Sequence, residues 1–102
     1  MARVVLVGTL DTKEAEYRFL RDRIVADGHE VLVIDAGVSP HVSAIADVDS
    51  AAVARAAGHD VTVLAGAGDR GAAIAAMAEG ARNVVLDRLK SHGFDGICAL
   101  GG

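Results

Sequence analysis

Val4, Val5, Leu6 and Val7 form an unbroken apolar run that stops at Gly8, and polar residues follow at once. A run without alternation predicts a strand covered on both faces, as in a parallel sheet. A second run, Val31-Leu32-Val33-Ile34, has the same character and ends at Asp35. Between the two, Tyr17, Leu20 and Ile24 recur at three- and four-residue spacing, which places them on one face of a helix. This helix is predicted over residues 12–26. Asp11 is its expected N-cap, Glu14 completes a capping box, and Gly28 supplies the stop. Strand 3–7, the helix and strand 30–34 make one βαβ unit.

Further along, the punctuation changes. Residues 36–48 read as a loop holding the single proline, Pro40. Asp49 or Ser50 caps a short helix over 51–57, closed by Gly58. A longer helix is predicted over 70–91, with Ile74, Met77, Ala81, Val84, Val85 and Leu89 as its apolar stripe and Gly93 as its end. A third strand follows over 94–100. Asp60-Val61-Thr62-Val63-Leu64-Ala65 has strand chemistry, yet helices begin or end only a few residues away. The pattern alone leaves 59–68 open between strand and helix. The fold class expected is α/β: a Rossmann-like three-layer arrangement on a parallel sheet, incomplete at about three strands.

Composition narrows the function classes. The 102 residues suffice for one small core, and that core must be aliphatic, because the chain is 52% hydrophobic but only 3% aromatic. The net charge of −4 and the lack of any basic run argue against a nucleic-acid surface. No apolar stretch approaches the roughly 18 residues of a membrane span, and Met1 to Leu10 lacks the features of a signal peptide. Cytoplasmic location is the simplest expectation. The single cysteine, Cys98, lies in an apolar run and is expected as a buried thiol. The chain closes on Leu100-Gly101-Gly102, a strand running straight into a glycine loop. The expectation is therefore the front part of a longer protein.

Three places could carry chemistry. At Gly8 to Lys13 a strand feeds a helix, so first-turn amides, the Thr9 and Thr12 hydroxyls and Lys13 could hold phosphate oxygens. Asp11 could hold a hydrated Mg²⁺ on that phosphate. Gly8 would let the backbone approach. Asp35 with Gly37, at the end of the second strand, has the position of a ribose-binding carboxylate in a nucleotide-binding βαβ unit. Gly66-Ala67-Gly68-Asp69-Arg70-Gly71 matches G-x-G-x-x-G. The acidic partner that fingerprint needs would be Asp87, which falls inside a helix. The segment therefore reads as a glycine-rich helix start capped by Asp69, with Arg70 free to face a ligand. His29, His41, His59 and His92 have no metal-ligand spacing and read as exposed loop residues.

Taken in order, Gly8-Thr9-Leu10-Asp11-Thr12-Lys13, Asp35-Ala36-Gly37-Val38, Val53-Ala54-Arg55-Ala56-Ala57-Gly58, Gly68-Asp69-Arg70-Gly71-Ala72-Ala73 and Leu100-Gly101-Gly102 resemble one family across nearly the whole chain. It is the uncharacterised family of ATP-binding proteins that includes the tomato inhibitor of tobamovirus RNA replication. The resemblance implies a protein several times longer, with a Rossmann-like N-terminal domain that binds ATP with Mg²⁺ and a C-terminal domain similar to a TIM barrel. Residues 1–102 would then be the first half of the nucleotide-binding domain. Relatives carry helix formers at 59–66, which favours a helical or irregular segment there. The antiviral activity belongs to a plant context and does not transfer.

The function expected is a nucleotide-binding module. Gly8, Thr9, Thr12 and Lys13 would meet phosphates, Asp11 the Mg²⁺, Asp35 and Gly37 the ribose, and Gly101 and Gly102 would give close backbone contact. One alternative is part of an ATP-dependent enzyme that acts on a small metabolite through its C-terminal domain. Another is a structural fragment that forms a homo-oligomer through open sheet edges.

Overall fold

The computed structural model describes residues 1–39 and 42–99. Its elements are β1 (Arg3–Gly8), α1 (Leu10–Ala26), β2 (Glu30–Asp35), α2 (Ser50–Ala56), α3 (Val61–Gly66), α4 (Arg70–Ser91) and β3 (Gly96–Cys98). Among the described residues the strands form one parallel sheet in the order β2-β1-β3. Val5 stands opposite Leu32 on one side and Ile97 on the other, and Gly8 stands opposite Asp35.

The continuous apolar runs have the cause inferred from them. Leu6 and Val33 point to one face, where Leu10, Tyr17 and Ile45 join them and Leu20 and Ile24 pack alongside. Val5 and Ile34 point to the other face, against Val53, Ala54, Val61, Met77 and Ala81. The sheet is thus sandwiched, with α1 on one side and α2, α3 and α4 on the other. This is the expected α/β architecture. Residues 61–66 are helical, capped by Asp60, whose carboxylate accepts the Thr62 amide at 2.8 Å. Gly28 ends the turn after α1 at φ +87°, a conformation L side chains rarely adopt.

Several expectations need correction. α1 begins at Leu10, its N-cap is Thr9, and no side chain caps it. Glu14 Oε1 instead accepts from Arg18 at 3.0 Å. The Leu10 amide finds its acceptor on β2, and the Thr9 carbonyl takes the amides of Thr12 (3.2 Å) and Lys13 (2.9 Å). Lys13 itself is not helical (φ −120°, ψ 19°), so the first turn is offset from the rest of the helix.

The buried face of α4 is Ala73, Ala76, Met77, Gly80 and Ala81, while Ile74 and Leu89 are about half exposed. The reason is the close approach of α2: a Cβ on Gly80 would collide with the Val53 carbonyl, so small residues face that helix. β3 is shorter than expected, and Cys98 is exposed rather than buried. Among the described residues β3 pairs only with β1, and its neighbour Ile97 is 55% exposed.

The loop after β2 folds back over that strand's outer edge. Ile34 and Val48 form an isolated parallel bridge, the Asp35 amide donates to the Val48 carbonyl at 2.9 Å, and Asp47 Oδ2 accepts the Val33 amide at 2.8 Å. Among the described residues, no helix is long and apolar enough to cross a membrane.

Candidate functional site

A cleft of about 550 Å³ opens at the carboxyl ends of β1 and β2. The chain leaves β1 for β2 on one side and later returns to place β3 on the other. Ligands of open parallel sheets bind at such reversals of strand order, outside the carboxyl ends. Three segments line the cleft. Thr9, Asp11 and Thr12 come from the β1–α1 junction, Ala36 and Val38 from the loop after β2, and Leu64, Gly68, Asp69, Arg70 and Ile74 from α3 and the start of α4.

Asp35 ties the first two segments together. It is 1% exposed, and its Oδ1 accepts the amides of Leu10 at 3.3 Å and Gly37 at 2.9 Å. The Ala36 amide adds a bond to the Gly8 carbonyl at 2.8 Å. Asp35 is therefore a brace beneath the cleft, not a loop carboxylate in water. Gly37 is also buried, and a Cβ there would lie 2.6 Å from the Asp11 carboxylate. The glycine lets Asp11 fold over the second loop.

Gly8 is short of space for a different reason. A side chain on it would run into the ring of Tyr17, whose hydroxyl donates to the Val7 carbonyl at 2.7 Å. Thr9 and Thr12 present hydroxyls 3.2 Å apart, and the Thr12 hydroxyl also lies 3.3 Å from the Thr9 carbonyl. Lys13 is half-buried at the kink and is not among the residues lining the cleft. The first turn of α1 therefore does not offer a full set of free amides: those of Leu10, Thr12 and Lys13 already have acceptors.

The 66–71 segment is a helix start, with Asp69 Oδ1 accepting the Ala72 amide at 3.0 Å. It nonetheless brings Gly68, Asp69 and Arg70 into the cleft. Thr9, Asp11, Thr12 and Arg70 thus meet in one place, with Asp35 and Gly37 behind them. Gly101 and Gly102 lie outside the described residues. The apolar wall of Val38, Leu64 and Ile74 was not foreseen. Its one trace in the sequence is apolar residues on both sides of a glycine-rich turn.

Thr9, Thr12 and Arg70 are the hydrogen-bond donors among the side chains lining the cleft, and Asp11 and Asp69 are its carboxylates. No group of three or more metal-binding side chains occurs among the described residues. Mg²⁺ in nucleotide sites commonly takes one or two carboxylates, with phosphate and water supplying the rest, and Asp11 can be one. Among the histidines, His59 and His92 are exposed as expected. His29 is not: it is half-buried, and its Nδ1 accepts the Ala2 amide at 2.9 Å. His41 lies outside the described residues.

Residues 2–102 match the family model described as uncharacterised protein family (UPF0261) N-terminal domain. The chain is 36% identical over 100 residues to a UPF0261 protein of Clostridium tetani, covering 98% of this chain and 25% of that protein. It is 37% identical over 103 residues to one from Brucella suis, covering 98% and 24%. A third, from Mesorhizobium japonicum, is 39% identical over 79 residues, covering 76% and 19%. The chain spans about a quarter of the length of the first two relatives.

Proposed function

We propose that this chain, which belongs to the uncharacterised family UPF0261 and carries its N-terminal domain, binds a nucleotide, ATP with Mg²⁺, in the cleft at the carboxyl ends of β1 and β2. One observation carries the reading: at the reversal of strand order, a polar mouth of Thr9, Asp11, Thr12, Arg70 and the capping carboxylate Asp69 meets an apolar wall of Val38, Leu64 and Ile74. The wall suits the face of a base. The two hydroxyls and the guanidinium suit phosphate oxygens, with Arg70 making the stronger, charge-assisted bonds. Asp11 suits a hydrated Mg²⁺ held on the same phosphates. Lys13, next to Thr12, adds positive charge at that end.

Asp35, Gly37 and Gly8 act from behind. They fix the two loops so that the hydroxyls and Asp11 are already in place, which lowers the ordering cost of binding. In this reading the chain is a binding module. Any chemistry would be supplied by the rest of a protein as long as its relatives.

Isothermal titration of the full-length protein with ATP–Mg²⁺ tests the proposal. Saturable binding is expected, and Arg70→Ala should raise the Kd about tenfold or more, the loss of one charge-assisted interaction. Absence of binding at millimolar ATP, or the wild-type Kd in a Thr12→Val, Arg70→Ala double variant, overturns it.

A further inference from the structure

A second hollow, of about 500 Å³, lies at the opposite end of the sheet, under the amino ends of β1 and β2 and beside the carboxyl ends of α1 and α4. We propose that it binds a small amphiphilic carboxylate, an acid with an aliphatic or aromatic body. This site is separate from the nucleotide cleft and does not depend on it.

The volume falls within the roughly 300–1,000 Å³ typical of ligand pockets. Its lining is mainly apolar, with Val5, Leu32 and Phe94 among the contributors. Val25, at the end of α1, adds a large apolar side chain that is 52% exposed. This surface accounts for the body of the ligand.

The rim accounts for its head group. Arg3 and Glu30 pair at 3.1 Å and offset one another. Arg3 Nη1 also donates to the His92 carbonyl at 2.6 Å, which ties the start of β1 to the turn after α4. Arg88, unlike Arg3, has no carboxylate within ion-pair distance among the described residues, and it is half-buried at the hollow. A guanidinium over apolar surface is suited to a carboxylate, which it can hold with two parallel bonds. His29 also lines the hollow. Its Nδ1 accepts the Ala2 amide, so the neutral ring carries its hydrogen on Nε2.

Charge decides the class of anion. Glu30 pairs with the Arg3 guanidinium, and Asp95 Oδ2 accepts the Arg3 amide at 2.8 Å, so Arg88 is the cation at this rim that is left for a ligand. A monocarboxylate matches that one guanidinium. A dianionic phosphate would leave negative charge beside Glu30.

The test uses octanoate as probe on the full-length protein, read by isothermal titration, with octanamide as the uncharged control. Saturable octanoate binding, a Kd raised about tenfold or more by Arg88→Gln, and a comparable loss for octanamide are expected. Val25→Glu, at an exposed rim position that tolerates substitution, should weaken octanoate binding without altering the melting temperature. Saturating ATP–Mg²⁺ should leave the octanoate Kd unchanged. The proposal is overturned by no saturable octanoate binding at millimolar concentration, by displacement of octanoate by ATP–Mg²⁺, or by wild-type affinity in either Arg88→Gln or Val25→Glu.

Discussion

The ring of Tyr17 fills the space in front of Gly8, and the Tyr17 hydroxyl donates to the carbonyl of the preceding residue, Val7, at 2.7 Å. Gly8 is thereby a packing glycine at the end of β1. Gly8→Ala should destabilise the fold by about 1–3 kcal/mol, the usual cost of overpacking. Tyr17→Phe should cost about 1 kcal/mol through the lost hydrogen bond. Urea denaturation measures both. If Gly8→Ala leaves stability intact but abolishes nucleotide binding, the glycine serves the ligand instead.

Asp35 holds two buried amides, one at the start of α1 and one in the loop after β2. Asp35→Ala leaves both donors without that acceptor and should cost about 2 kcal/mol or more. Amide hydrogen exchange at Leu10 and Gly37 should accelerate in the variant. Unchanged exchange at both would show that the brace does not operate in solution.

Two glycines of α4 should respond in opposite directions to the same substitution. Gly71 has only the Asp69 carboxylate near its side-chain position, at 3.7 Å, so Gly71→Ala should stabilise by about 0.5–1 kcal/mol through helix propensity. Gly80 faces the backbone of Val53. A carbonyl in a packed helix cannot step aside cheaply, so the clash of about 1–3 kcal/mol outweighs the propensity gain and Gly80→Ala destabilises. Thermal melting of the two variants side by side settles the sign.

Asp60 caps α3, and its carboxyl is held below its ordinary pKa of 3.8. The largest cause is the Thr62 hydroxyl, which donates to it at 2.6 Å, followed by the Thr62 amide. A pKa depressed by folding contributes stability that is present above the unfolded value and is lost as pH falls through the folded one. The difference in urea midpoint between wild type and Asp60→Ala should therefore be full at pH 7 and shrink below the unfolded pKa. A difference that persists unchanged in strong acid would mean that the charge plays no part.

The sheet was legible in the sequence because both faces of β1 and β2 are covered, which leaves apolar runs with no alternation. Helix ends at Gly28, Gly58 and Gly93 were legible because positive φ selects glycine. The start of α1 was not, because the acceptor for its first amide is Asp35, 25 residues away. On α4 the expected stripe held at Met77 and Ala81, with Val84 and Val85 packed alongside, but Ile74 and Leu89 are half exposed, and Ala73, Ala76 and Gly80 were missed because contact with α2 selects small residues. In the cleft, hydroxyls and charges stand out in a sequence, but Val38, Leu64 and Ile74 resemble any core residue until the fold leaves them at an opening.

β1 lies between one partner that is near in the chain and one that is far. Arg3 reaches Glu30 across 27 residues and Asp95 across 92. Closing the longer loop costs about 1 kcal/mol more in chain entropy. The β1–α1–β2 unit can therefore form first, during synthesis as well as on refolding, and β3 docks onto a template already in register. Substitutions in the Tyr17 cluster should slow folding, whereas those around β3 should mainly speed unfolding.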